Sequence, residues 1–270
     1  MEVIEALRQD AAKLLADGRA KVVIGYQARG QHRAPVFITD AAQVSVLVFD
    51  DSCKQNLAAY LRKPEVRRLM PAALVATPAV MRSLVVLQAE SQLADGAVLV
   101  LAVGGGEYHG VLDLAGAAAL LKEKYARLAP SPELMARVKE LAAMSAADRA
   151  AFWSAEFAKC TRCYACRAAC PMCYCTRCIV EKNLPQWIST ATAAHGNYAW
   201  NIIRAFHLAG RCTLCGACEA ACPQGIPLML LNTLLADEVE KECGVKAGYD
   251  PAAKPVIGSF DPDDDNDFIK

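Results

Sequence analysis

The stretch CTRCYACRAACPMCYCTRC, residues 160–178, holds seven cysteines in nineteen residues. Its first twelve residues have the spacing C-x2-C-x2-C-x3-C-P, and residues 212–223 repeat that spacing in full. Zinc sites gather four ligands in two pairs and require neither the third C-x2-C step nor the proline. Two complete copies of the longer spacing therefore predict iron–sulfur ligation rather than two zinc sites.

The spacing of the two motifs also predicts which cysteines share a cluster. Three thiolates separated by two residues can wrap one face of an iron–sulfur cubane, and in bacterial two-cluster ferredoxins the fourth cysteine ligates the other cluster. We therefore expect two [4Fe-4S] clusters with crossed ligand sets. Cluster I is assigned to Cys160, Cys163, Cys166 and Cys222, and cluster II to Cys212, Cys215, Cys218 and Cys170.

Five of the thirteen cysteines lie outside the two motifs. Cys173, Cys175 and Cys178 have the density of three ligands at a third metal site, with Cys53 as a distant fourth ligand. Cys53 follows a predicted strand, where α/β domains present functional groups. Zinc and a third [4Fe-4S] cluster both suit thiolate ligands, and three buried thiols without metal are the alternative. Cys243, at a predicted helix end, is expected to be a free thiol.

Composition and charge exclude several classes of partner. The formal net charge is zero, which gives no electrostatic footprint for nucleic acid. The start MEVIEALRQD lacks the basic and apolar regions of a secretory signal. No stretch approaches the ~18 continuous apolar residues of a membrane span. We therefore expect a cytoplasmic protein, in whose reducing environment cysteines are metal ligands rather than disulfides.

The first half of the chain has a different pattern. Short apolar runs predict strands at 21–26, 44–50, 73–77 and 97–103, and helical patterns predict helices at 2–16, 54–63 and 79–93. This alternation predicts an α/β domain with a mainly parallel sheet. The glycine-rich loop 104–110 could hold a phosphate or a flavin pyrophosphate. A tight turn is the favoured interpretation, because the dinucleotide-binding spacing is incomplete.

The second half is predicted to be helix-rich. Ser131 and Ser145 are good N-caps for two helices in 131–158, and further helices are predicted at 197–210 and 226–243. Four regions follow: an α/β domain (1–128), a helical linker (129–159), a bacterial-type dicluster ferredoxin-like domain (160–247) and an acidic tail (248–270).

Several side chains near the motifs bear on the predicted clusters. Trp187, Trp200 and Phe206 are expected to pack around them and exclude water. Arg162 and Arg167 lie close to cluster I in sequence, and solvent exposure is the simplest interpretation of both. Since charge and amide hydrogen bonds set cluster potentials, we expect the two clusters to have unequal reduction potentials.

Three runs carry a family resemblance: FAKCTRCYACRAACPMCYCTRC, AFHLAGRCTLCGACEAACP and the tail PVIGSFDPDDDNDFIK. They resemble the dicluster ferredoxin-type subunits that accompany heterodisulfide-reductase-like and flavin oxidoreductase complexes of anaerobes. These subunits are distantly related to the beta subunit of deazaflavin-reducing hydrogenases and formate dehydrogenases. The resemblance covers residues 150–270, and the first half more loosely through FDDSCKQNLAAYL.

The first half departs from that family in two places. A Gly-Cys-Asp-x-Arg-Ser element is usual after the third strand, and here only Arg82 and Ser83 correspond to it. The cysteine-containing loop that follows in the family is replaced by Gly104-Gly105-Gly106. Any flavin or catalytic role that the resemblance implies for this domain is therefore not carried over, and flavin is not an expected cofactor.

The resemblance implies an electron-transfer subunit of a multi-subunit redox complex, not catalytic on its own. Electrons would pass between a hydrogenase, formate dehydrogenase or flavoprotein donor and a heterodisulfide-reductase-like acceptor. Two alternatives stay open: a flavin-containing oxidoreductase subunit that uses loop 104–110, and a structural adaptor whose N-terminal domain docks partner subunits. The acidic tail, with Phe260, is either a solubilising end or a docking strap for a partner.

Overall fold

The fold is known from a computed structural model that describes residues 3–126 and 130–256. Six strands form one sheet: β1 Val22–Arg29, β2 His32–Ile38, β3 Leu47–Val48, β4 Ala72–Ala76, β5 Val98–Gly104 and β6 Glu107–Leu112. The helices of the first half are α1 Val3–Ala16, α2 Pro64–Arg67, α3 Pro78–Ala89 and α4 Leu114–Lys124. Those of the second half are α5 Pro132–Ala143, α6 Ala146–Ala158, α7 Ala165–Ala168, α8 Ala194–Phe206, α9 Ala217–Ala220 and α10 Leu228–Cys243.

The sheet is mixed rather than mainly parallel, so that part of the predicted fold class was wrong. Its order is β2-β1-β4-β5-β6, with β3 also paired to β1. β1 and β4, and β4 and β5, are parallel, whereas the β1–β2, β1–β3 and β5–β6 pairs are antiparallel. The sequence analysis did not predict β2 or β6. β2 contains Pro35, which suits an edge strand because proline cannot donate to the ladder.

Two predicted elements of the first half take a different form. The strand predicted at 44–50 is reduced to β3, because a 3₁₀ helix occupies Ala41–Val46. The Asp40 carboxylate caps that helix by accepting a hydrogen bond from the Ala42 amide at 2.9 Å. The helix predicted at 54–63 is a 3₁₀ helix over Leu57–Tyr60, capped in the same way by Asn56.

The glycine-rich loop forms the turn of the β5–β6 hairpin. Gly104 pairs with Glu107, and the two residues between them, Gly105 and Gly106, have φ of 60° and 79°. Positive φ at both central positions is the signature of the two-residue turn that matches the twist of antiparallel strands. The tight-turn interpretation is confirmed, and the segment leads into a strand rather than a helix N-terminus.

The predicted helix caps of the second half are confirmed. Ser131 Oγ accepts a hydrogen bond from the Leu134 amide, and Ser145 Oγ accepts one from the Asp148 amide, both at 3.2 Å. α5 packs against α10, and α6 packs against α8. Within the described ranges, no helix is long and apolar enough to cross a membrane.

Residues from the second half of the chain pack into the hydrophobic core of the first half. Met172 and Leu208 are buried in the core built around the sheet, and Cys212 packs against it. A second core, built by Trp153 and Phe157 of α6 with residues of α5 and α10, has Cys160 and Cys166 of the first motif among its neighbours. Residues 127–129, where the first predicted domain boundary falls, and residues 257–270 of the acidic tail lie outside the described residues.

Candidate iron–sulfur centre

The eight motif cysteines line two separate cavities. One cavity is lined by Cys160, Cys163, Cys166 and Cys222. The other is lined by Cys170, Cys212, Cys215 and Cys218. Each cavity therefore takes three cysteines from one motif and the fourth from the other motif. These are the two sets assigned from the sequence; ligation itself stays a prediction.

The two motifs are structural repeats of each other. Residues 160–171 and 212–223 are identical at nine of twelve positions, and each run contains a one-turn helix, α7 or α9. The third and fifth positions of both loops are left-handed: φ is 57° at Arg162, 59° at Tyr164, 53° at Leu214 and 75° at Gly216. Left-handed residues in such loops turn backbone N–H groups into a concavity that binds anions, as in many iron–sulfur sites.

Backbone amides of both loops already point at the cysteine sulfurs. The Arg162 amide donates to Cys160 Sγ at 3.4 Å. The Leu214 amide makes the equivalent hydrogen bond to the Cys212 thiol. Holding a non-glycine residue left-handed costs on the order of 1 kcal/mol. In return for this backbone strain, the N–H groups of the loops point toward the position of a thiolate or a cluster sulfide.

The rings of Tyr164 and Trp200 line the predicted cluster I cavity, and a buried cation lies near both rings. Trp200 is 1% exposed and packs edge-on against Tyr164, with ring centroids 4.9 Å apart. The Arg162 guanidinium lies near both rings and donates to the carbonyls of Gly196 at 2.6 Å and Ser189 at 3.1 Å. Arg162 is therefore buried, contrary to the solvent-facing interpretation, and it fixes the start of α8 to the first loop.

The other side chains expected near the clusters behave differently. Trp187 and Phe206 are 73% and 56% exposed, so the prediction that they exclude water from the clusters was wrong. Arg167 is half-buried rather than solvent-facing: it forms an ion pair with Glu181 and donates to the Cys175 carbonyl at 3.2 Å. Arg167 thereby ties the first motif to the cysteine-rich segment that follows it.

The predicted cluster II cavity receives hydrogen bonds from the N-terminal half. Asn56 Nδ2 donates to Ser83 Oγ at 2.8 Å, and Ser83 Oγ lies 3.0 Å from Thr213 Oγ1. Burial raises the pKa of the Cys215 thiol, while hydrogen bonds from Asn56 and Thr213 act in the opposite direction. Asn232 Nδ2 also donates to Cys218 Sγ at 3.6 Å.

Arg204 is a functional candidate that the sequence analysis missed. It is 4% exposed, lines the predicted cluster II cavity and donates to the Cys166 carbonyl at 3.1 Å. Burial alone would lower its pKa, but nearby thiols, led by Cys173 and Cys218, raise that pKa above its ordinary value. An arginine within the mostly apolar run AWNIIRAF of α8 was the signal available in the sequence.

The residues present fit [4Fe-4S] clusters. Each cavity offers four thiols, the ligand set of a cubane. Within residues 3–126 and 130–256, the buried Arg204 Nε has no hydrogen-bond partner. A buried N–H group without a partner is costly, and an anionic cluster beside it would supply the missing acceptor.

The structure brings together three of the four ligands predicted for the third metal site. Cys173, Cys175 and Cys178 line a third cavity of about 460 Å³. Cys53 is not among the described residues that line it; its thiol is buried in the core around the sheet. In the described part of the chain, no three His, Cys, Asp or Glu side chains converge tightly enough to hold a single ion. The third site stays a prediction. Cys243 is exposed at the end of α10.

Comparison with known proteins identifies the same region. Residues 156–226 match the 4Fe-4S dicluster domain family. The F420-dependent formate dehydrogenase subunit beta of Methanocaldococcus jannaschii is 30% identical over 105 residues, which are 39% of this chain and 27% of that protein. The F420-dependent formate dehydrogenase 1 subunit beta of Methanococcus maripaludis is 31% identical over 110 residues, which are 41% of this chain and 28% of that protein.

The family match falls within the second half of the chain. The predicted resemblance to dicluster ferredoxin-type subunits is confirmed for residues 156–226. The matched stretch spans little more than a quarter of either relative. Residues 156–226 are therefore similar to 4Fe-4S dicluster domains.

Proposed function

We propose that this protein is an electron-transfer subunit of a multi-subunit redox complex and holds two [4Fe-4S] clusters by crossed ligand sets. The observation that carries the proposal is the pair of cavities, each lined by three cysteines of one motif and the fourth of the other. Bound clusters would supply one-electron transfer, and the protein would position and tune them.

The chain's own residues would give the two clusters different environments. Tyr164 and Trp200 line the cluster I cavity, and the Arg162 guanidinium lies near both rings. Asn56, Thr213 and Asn232 direct hydrogen-bond donors at cluster II cysteines. Donors to ligand sulfur stabilise the more negative, reduced state. These side-chain donors would therefore raise the potential of cluster II.

The relatives suggest the class of partner. Both are named as beta subunits of F420-dependent formate dehydrogenases. We place this chain between a formate dehydrogenase, hydrogenase or flavoprotein donor and a heterodisulfide-reductase-like acceptor. In this proposal the chain passes electrons between its partners and does not turn over substrate alone.

The test is anaerobic purification of the full chain, followed by iron and sulfide analysis and reductive titration. The proposal predicts at least eight irons per chain and at least two one-electron steps. A formate-reduced catalytic subunit of formate dehydrogenase should reduce the clusters, whereas formate alone should not. Fewer than eight irons, or formate oxidation by the chain alone, would contradict the proposal.

The adaptor alternative makes a different prediction about the N-terminal half. A docking module would leave the cluster potentials unchanged when its surface is altered. Here Asn56 and Ser83 connect the N-terminal half to the loop that carries Cys215. This contact favours an N-terminal half that tunes cluster II, and substitution of Asn56 distinguishes the two accounts.

A further inference from the structure

The third cavity, of about 460 Å³, lies directly beside the predicted cluster II site. Both cavities are lined by Met172, Arg204 and Leu208. Cys170, assigned to cluster II, and Cys173, on the third cavity, are in direct contact: the Cys173 amide donates a hydrogen bond to the Cys170 carbonyl at 3.2 Å. The third cavity is therefore a neighbour of the predicted clusters and not a remote surface cleft.

The residues around this cavity combine soft ligands with positive charge. Cys173, Cys175 and Cys178 line it together with His207, the residue that ends α8. Three arginines also line it. Arg211 is neutralised by Glu90 and Arg167 by Glu181.

Arg204 is the cation of the cavity that lacks such a carboxylate. It is 4% exposed, and in the described part of the chain its Nε makes no hydrogen bond. A buried guanidinium N–H without an acceptor favours an anion beside it, and Arg204 lines both this cavity and the predicted cluster II cavity.

We propose that Cys173, Cys175, Cys178 and His207 hold a third [4Fe-4S] cluster, with His207 in the place that sequence spacing assigned to Cys53. Imidazole replaces thiolate in some iron–sulfur centres, and His207 lines the cavity whereas Cys53 lies in the core around the sheet. A structural zinc site closes four side chains around one ion. A cavity of about 460 Å³ gives room for a cluster of several atoms.

The third cluster would extend the proposed two-cluster function toward the surface. Cys175 and His207 are exposed, whereas Cys173 and Cys178 are partly covered. Electrons could therefore enter or leave through this site and reach cluster II through the Cys170–Cys173 contact. Cluster I lies in the other core, with α5 and α6.

The experiment measures iron, sulfide and zinc on the full chain, purified anaerobically. The proposal predicts about twelve irons and no zinc, falling to about eight irons in Cys178→Ala. In the reduced protein, electron–nuclear double resonance should detect a nitrogen coupling that disappears in His207→Ala. The matched control is His195→Ala, near the start of α8 and not among the residues that line the cavity; it should keep the nitrogen coupling. Cys53→Ser should keep all twelve irons.

Each other result has a definite meaning. About eight irons without zinc would overturn the third cluster while leaving the two-cluster function intact. About eight irons plus one zinc that is lost in Cys178→Ala would replace the cluster by a zinc site. Twelve irons with the nitrogen coupling unchanged in His207→Ala would overturn the assignment of His207. Fewer than eight irons would instead overturn the proposed function itself.

Discussion

Ser83 Oγ lies 3.0 Å from Thr213 Oγ1, and this contact joins two residues 130 positions apart. Ser83 is on α3 of the N-terminal half, and Thr213 is inside the second cysteine motif. Ser83 also accepts a hydrogen bond from Asn56 Nδ2 at 2.8 Å. Ser83, which corresponds to the serine of the family's Gly-Cys-Asp-x-Arg-Ser element, therefore connects the α/β half to the predicted cluster II loop.

Replacing Asn56 should lower the reduction potential of cluster II alone. Asn56→Ser keeps an N-cap residue for the following 3₁₀ helix but is too short to keep the amide donor on Cys215. We expect a fall on the order of tens of millivolts, since a donor to ligand sulfur is lost. A redox titration monitored by electron paramagnetic resonance measures it. The neighbouring control Gln55→Ser should leave both potentials unchanged; equal shifts in the two variants would refute the role of Asn56.

Removing the charge of Arg204 should lower cluster potentials more strongly. Its buried guanidinium lies among Cys166, Cys170, Cys173 and Cys218. Loss of a buried cation disfavours the reduced cluster by Coulomb interaction, and we expect a fall on the order of 100 mV in Arg204→Met. Arg204→Lys keeps the positive charge and should lower the reduction potentials less than Arg204→Met does. Unchanged potentials in Arg204→Met at full iron content would contradict this prediction.

The Glu90–Arg211 pair should stabilise the junction between the halves. Arg211 Nε and Nη2 both donate to the Glu90 carboxylate, the latter at 2.7 Å, and Tyr174 donates to the same carboxylate at 2.8 Å. Glu90→Gln leaves a largely buried cation unpaired, so we expect the apparent Tm to fall by about 5 °C. The exposed pair of Lys241 with Glu242 offers the control, and Lys241→Gln should not change Tm measurably.

The segment after α10 should be sensitive to a single methyl group. Gly248 has a φ of 82°, and a Cβ there would lie 2.6 Å from the Arg82 carbonyl oxygen. Gly244 has a φ of 65°, but a Cβ there would meet nothing within 4 Å. Both alanine variants carry left-handed strain, and only Gly248→Ala adds a backbone clash. Gly248→Ala should lower Tm about twice as far as Gly244→Ala; equal effects would show that the close approach to Arg82 does not matter.

The motif cysteines and the capped helices could be predicted from sequence, because spacing and caps are local signals. Ser131 and Ser145 cap their helices as expected, and each four-cysteine set lines one cavity. The number and direction of the sheet strands were harder to predict. β2 and β6 are edge strands that contain proline or glycine, and hairpin turns fix their direction.

Contacts over long sequence separation were beyond prediction. Nothing local marks Asn56 as a partner of Cys215, and an arginine within the helix 197–210 could have faced solvent. His207 lies outside both cysteine motifs, whose eight cysteines already make up two complete ligand sets. Its position on the cavity of Cys173 depends on how α8 packs, which no spacing encodes.

The most direct test of the central claim asks which cluster Cys170 serves. The electron paramagnetic resonance spectrum of reduced Cys163→Ala would show the protein with cluster I perturbed. The spectrum of reduced Cys215→Ala would show the protein with cluster II perturbed. The account predicts that the spectrum of Cys170→Ala matches Cys215→Ala, because Cys170 lines the cavity of the second motif. A spectrum that matches Cys163→Ala would place all four cysteines of each motif on one cluster and would contradict the crossed arrangement.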